Sequence, residues 1–137
     1  MRILPVLLLP LAACSTTPQE AEQAAAAELR TQEALAVELA GLVPGEPTAC
    51  LPEPARVQVS SKGYGSTLVY RVSNSVKYRN DMNGSCPGAG RDDILVTRTT
   101  QSRSCRGDIV QTIDRGSRFP TGACSFGDFI PYRRPAR

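Results

Sequence analysis

The sequence predicts a mainly β fold, a small antiparallel sheet or partly open barrel with two disulfides, preceded by one N-terminal α-helix. Three observations predict it. Short runs of alternating apolar and polar residues recur between turn residues from residue 56 onward. Four of the five cysteines lie from residue 50 onward, with no CxxC pair and no histidine anywhere in the chain. Ahead of them, residues 18–40 are dominated by alanine, glutamate, glutamine and leucine, all good helix formers.

The chain begins with Met1-Arg2 and an apolar run from Ile3 to Ala13, interrupted by Pro5 and Pro10. That run is about half the roughly 20 residues a membrane-spanning helix needs. A positive charge, a short apolar run and a small-residue end read as a cleaved signal peptide over residues 1–13. Leu11-Ala12-Ala13-Cys14 resembles the lipobox of bacterial lipoprotein precursors. The resemblance implies a diacylglyceryl group on the Cys14 thiol, cleavage just before Cys14 and acylation of the new amino group. It also settles the odd cysteine count, since Cys14 is consumed and four cysteines remain to pair. Several acyl chains on one residue would hold the protein on a bilayer, where a single chain binds marginally. Ser15 follows, not the aspartate that retains enteric lipoproteins at the inner membrane, so the resemblance implies an outer-membrane anchor facing the periplasm of a Gram-negative envelope.

Residues 14–49 then read as lipid anchor, helical spacer and proline-rich linker. Thr17-Pro18-Gln19-Glu20 combines a capping threonine, a proline suited to the first helical turn and a glutamate completing a capping box. The helix is expected to run to Ala40, before the stop signals Gly41 and Pro44. Leu35, Leu39, Leu42 and Val43 form a short apolar stripe near its end. A semi-rigid spacer and a helix docked through its last two turns both fit this pattern; sustained heptads for a coiled coil are absent. Residues 15–49 carry six glutamates and one arginine, and residues 50–137 carry fourteen Lys/Arg against seven Asp/Glu, so a segment of net −5 precedes one of net +7.

The domain, residues 50–137, is small enough to need staples. Strands are expected near 56–60, 67–72, 76–80, 93–99, 108–114 and 126–131. In the second and third, Leu68, Tyr70 and Val72 share one face, and Val76 and Tyr78 the next. A three-residue loop, Ser73-Asn74-Ser75, would pair Val72 with Val76 and Tyr70 with Tyr78, keeping Lys77 and Arg79 off the apolar face. If neighbouring strands run antiparallel, successive loops alternate between the two ends of the sheet. Cys50 and Cys105 then fall at one end, Cys86 and Cys124 at the other. That parity selects Cys50–Cys105 and Cys86–Cys124 from three connectivities, each worth roughly 3–4 kcal/mol in the chain-entropy model. An oxidising periplasm would preserve them. A four-cysteine metal site is disfavoured by the missing CxxC and histidine, and no cofactor is expected.

Stretches from Cys50 to Pro131 resemble a family of uncharacterised small secreted and lipoprotein chains of Gram-negative bacteria. The resemblance rests on Cys50-Leu51-Pro52, Val76-Lys77-Tyr78-Arg79-Asn80, Cys86-Pro87-Gly88, Cys105 with Asp108-Ile109-Val110, and Cys124-Ser125-Phe126-Gly127-Asp128-Phe129. It implies a disulfide-linked β domain and brings no activity with it.

No enzyme is expected. Nucleophilic catalysis needs an activated nucleophile beside a base, and the domain cysteines are better spent as disulfides. Asp92 and Asp93, adjacent on a strand start, would point to opposite faces. Asp108 and Asp128, each after a glycine, suit turns. Arg106-Gly107-Asp108 spells an adhesion tripeptide by coincidence. Two functions of different class remain. One is a protein-binding module for an envelope partner, with Tyr64 in Gly63-Tyr64-Gly65 as its exposed loop aromatic. The other is a cationic module for an anionic envelope lipid or glycan such as lipopolysaccharide, using strand cations such as Arg71, Lys77 and Arg79. Nucleic acid is excluded by compartment.

Overall fold

The computed structural model describes residues 17–52 and 60–136. Cys14 and the strand expected near 56–60, except for Ser60, lie outside them. The fold is mainly β, with one helix, two antiparallel sheets, two disulfides and no closed barrel. Helix α1 (Pro18–Glu38) opens with the expected capping box, in which Thr17 and Glu20 bond each other's backbone N–H groups. It ends two residues before Ala40, with Leu39 as its C-cap.

The first sheet has strand order β1-β9-β4-β3-β2 and is built from β1 (Val43–Pro44), β2 (Ser60–Tyr64), β3 (Thr67–Ser73), β4 (Val76–Asp81) and β9 (Phe129–Arg133). The second has the order β5-β8-β7-β6, from β5 (Asn83–Ser85), β6 (Ile94–Arg98), β7 (Ile109–Ile113) and β8 (Pro120–Ser125). A 3-10 turn, Pro87–Arg91, joins β5 to β6. The proline-rich stretch after α1 runs along β9: Gly45 N–H donates to Pro131 O (2.7 Å), and Thr48 and Phe129 exchange backbone bonds of 2.9 Å.

Three expectations need correction. The β3–β4 hairpin pairs Tyr70 with Tyr78, but Val76 lies opposite Ser73, across a two-residue turn at Asn74-Ser75. A bulge between Arg71 and Ser73 absorbs Val72, which keeps the apolar residues on one face despite the shorter turn. The last strand starts at Phe129, not 126, because residues 126–128 form the return from the second sheet to the first. Tyr64 is in strand β2 and 6% exposed, not on a loop.

Leu68, Tyr78, Val110, Phe126 and Phe129 fill the space between the sheets, with Tyr70 edge-on to Phe126. The disulfides join Cys50 to Cys105 and Cys86 to Cys124. Chain crossings between the sheets occur side by side, β4 into β5 at Met82 and β8 into β9 at 126–128. Asn80, fully buried, staples them: its amide donates to Gly127 O (2.9 Å) and Asp128 O (3.2 Å) and accepts from Gly127 N–H (3.1 Å). A Cβ at Gly127 would lie 2.2 Å from Asp81 O, so only glycine allows the two crossings this close.

Candidate functional site

The outer face of the first sheet collects residues that alternate away from the core: Tyr64 on β2, Val69 and Arg71 on β3, Lys77 and Arg79 on β4, and Tyr132 on β9. The last turn of α1 docks there. Leu35 and Leu39 pack with Tyr64 and Val69, and Tyr132 closes the cluster. Of the two readings left open for the helix, docking holds for its C-terminal end. Residues 18–30 are exposed throughout and overhang the domain by about 20 Å at 1.5 Å per residue.

Glu38 is the centre of this contact. Its carboxylate accepts from Arg71 Nη2 (2.7 Å), Lys77 Nζ (2.6 Å) and Tyr64 Oη (3.0 Å), and Lys77 also donates to its backbone oxygen. The Glu38 and Lys77 side chains are each 11% exposed. Burial works to raise the Glu38 carboxyl, but the bonds from Arg71, Lys77 and Tyr64 and the Lys77 charge outweigh it and lower it from 4.5 to about 2. Burial, then the bond to Glu38, pushes the Tyr64 hydroxyl up to about 12. Three of the four binding residues named from sequence are therefore brought together, around an acid of their own chain. Arg79 instead pairs with Asp81 at 3.0 Å.

A carboxyl lowered on folding stabilises the fold above its unfolded value and loses that contribution as pH falls through the folded value. The clasp is accordingly intact above pH 4.5 and opens toward pH 2, with a contribution of at most about 3 kcal/mol. Amide exchange at Leu35 and Leu39 should accelerate at least about tenfold between pH 5 and 2.5 relative to core strand β7, after correction for the intrinsic rate. Glu38→Gln should accelerate it already at pH 7. Exchange at these amides that tracks β7 at every pH would remove the clasp.

The remaining carboxylates singled out from sequence have structural partners. Asp92 pairs with Arg115 at 3.7 Å, while Asp93 accepts from the Thr121 hydroxyl, whose oxygen lies 2.9 Å from that of Thr112. Asp108 accepts from Cys105 N–H (2.8 Å), and Asp128 pairs with Arg106 (2.9 Å). Both charged ends of the Arg106-Gly107-Asp108 tripeptide are thus committed within the domain.

The sheets are open between their edge strands β2 and β6, leaving a cleft of about 640 Å³. Ser60 to Gly63 form one wall, Asp93 to Leu95 the other, and Ala89 and Gly90 close one end. That end is tight: a Cβ at Gly63 would sit 1.8 Å from Ala89 O. Among the described residues, β2 pairs only with β3 and β6 only with β7, so an unpaired backbone edge borders each side. Sequence reasoning missed one feature. The exposed aromatic is Phe119, 72% exposed, at the end of the β7–β8 loop. Asp114-Arg115-Gly116-Ser117 is a turn signal that marks this loop in sequence. Comparison with known proteins finds no matching family model, no matching curated protein and no matching solved structure.

Proposed function

We propose that this chain is a non-catalytic protein-binding module of a Gram-negative envelope, anchored by acylated Cys14 in the outer membrane and facing the periplasm. The lipobox-like Leu11-Ala12-Ala13-Cys14 supports the anchor. The observation that carries the reading is the clasp on α1. Thr17, three residues after Cys14, caps a helix whose far end is locked to the first sheet, so the helix is a strut that fixes the domain's orientation to its anchor. The described carboxylates engaged as ion pairs and caps support a binding role over catalysis. Tyr64 lies under α1, and the cleft between β2 and β6 takes its place as the partner site. Two unpaired strand edges accept an extended segment by backbone pairing.

The cationic alternative draws on the net +7 of residues 50–137. Its named cations are the weak point, since Arg71 and Lys77 share Glu38, leaving one net positive charge between them, and Asp81 pairs with Arg79. Photo-crosslinking probes at Ser61 and Ile94 in the acylated protein in cells test both. The expected result is one dominant protein adduct, lost when Cys14→Ala removes the anchor. Lipid or glycan adducts alone, fading with added salt, would support the cationic alternative instead.

A further inference from the structure

The end of the domain beneath the α1 overhang carries a second surface. Three loops meet there. Thr31 of α1 packs on Gly65 in the β2–β3 turn, Gly65 abuts Gly90 of the 3-10 turn, and Arg115 of the β7–β8 loop donates to Asp92 O at 3.1 Å. The β7–β8 loop is held firmly. Asp114 Oδ1 accepts from Gly116 N–H (3.1 Å), Ser117 N–H (2.6 Å) and the Ser117 hydroxyl (2.7 Å), and Asp114 N–H donates to Phe119 O (2.9 Å). The turn places Arg118 at φ +63°, a conformation a non-glycine residue adopts only under constraint. The Phe119 backbone is therefore held by the turn while its side chain is 72% exposed, and Arg118 beside it in the chain and Arg91 at the end of the 3-10 turn are exposed at the same end of the domain.

We propose that this surface docks a second copy of the chain, through the acidic overhang of that copy's α1. The overhang presents Glu20, Glu22 and Glu28 against a single arginine, Arg30, with Leu29 and a run of alanines between them. Its charge complements the arginines, its small side chains let an aromatic ring approach the helix closely, and Leu29, 66% exposed, offers apolar area. Within one chain the overhang is exposed along residues 18–30 and does not cover this surface. Donor helix and acceptor surface lie at one end of the molecule, so a two-fold axis satisfies both at once and closes the assembly as a dimer. The inference is independent of the lipid anchor, and its surface adjoins the cleft through Gly90 and Arg115.

Sedimentation equilibrium of a chain beginning at Ser15, which retains every described residue, tests it across the micromolar range. The expected result is a monomer–dimer equilibrium that weakens in about 0.5 M salt. Phe119→Ala should raise the dissociation constant about tenfold or more. Arg91→Glu with Arg118→Glu should abolish the dimer, as should Glu22→Lys with Glu28→Lys, and mixing these two double variants should restore association through the swapped charges. Circular dichroism identifies any variant that has not folded, and the unmodified chain and Phe119→Ala then carry the test. A monomer at every concentration overturns the proposal, as does a dimer indifferent to Phe119 and to the charge swaps. Phe119-dependent binding to phosphatidylglycerol vesicles without self-association also overturns it, making the occupant a lipid surface.

Discussion

Asn80→Ala is expected to destabilise the domain by about 3 kcal/mol or more, since each buried polar group left without a partner costs roughly 1–3 kcal/mol. Asn80 is fully buried, and its amide serves three backbone groups at Gly127 and Asp128. Those groups lie where the chain returns from the second sheet to the first, outside either ladder, so no strand neighbour replaces the lost bonds. Gly127 is also pressed against Asp81 O, which leaves no room for the loop to relax inward. Asn80→Asp tests the hydrogen-bond pattern separately from volume. It keeps the acceptor for Gly127 N–H but turns a carboxylate oxygen toward two carbonyls, and should be at least as damaging as alanine. A domain of this size has a total stability of about 5–13 kcal/mol at typical values per residue. Urea unfolding should therefore show a much lower midpoint with an unchanged slope. A shift below about 0.5 kcal/mol for both variants, the range of ordinary surface substitutions, would mean that the crossings are held by something else.

What could be read in the sequence follows from what each residue does. β3 and β4 carry Leu68, Tyr70 and Val72 and then Val76 and Tyr78 at alternate positions because one face of each meets the core, and that alternation is visible without a structure, whereas β6 and β7 show only as short runs rich in β-branched residues. β8, Pro-Thr-Gly-Ala-Cys-Ser, has no such pattern. It exists because β7 and β5 pair with it on both sides, a fact stored in other strands. β2 was hidden for a related reason. Gly63 and Gly65 around Tyr64 resemble turn residues, yet Gly63 is there because Ala89 O approaches its Cα too closely for any side chain. That misreading moved Tyr64 onto a loop and into solvent. The leucine stripe at the end of α1 did mark the docked turn. Nothing local distinguishes Glu38 from Glu33, and only the placement of Arg71 and Lys77 on neighbouring strands gives Glu38 its role. The parity count reaches the observed disulfide pairing, but its premise does not hold: it lacks β8, and Cys124 lies in that strand opposite Val110, at the same end of β7 as Cys105.

Removing the Cys86–Cys124 bridge should unfold the domain at 37 °C, whereas removing Cys50–Cys105 should leave it folded and weakened. The two bridges close loops of similar size, with sequence separations of 38 and 55, and the chain-entropy model gives each about 4 kcal/mol. Their surroundings separate them. Cys86 and Cys124 are 1% and 6% exposed, inside the core cluster with Phe126 and Val110. Cys86→Ala with Cys124→Ala removes two buried sulfurs as well as the cross-link, and truncation in a packed core adds its own cavity term. The bridge also holds the start of the 3-10 turn, whose Ala89 and Gly90 close one end of the cleft. Around Cys50 and Cys105, by contrast, backbone bonds from Leu51 to Ser104 O (2.9 Å) and from Arg106 to Ala49 O (2.6 Å) persist without the disulfide. Cys50 is also partly exposed, so a reductant reaches this bridge in the folded state. Graded reduction with thiol trapping and mass spectrometry should show Cys50–Cys105 opening first, with Cys86–Cys124 surviving until the circular dichroism signal collapses. Equal losses of stability for the two alanine pairs, or opening of Cys86–Cys124 in a still-folded domain, would contradict a core that depends on the buried bridge.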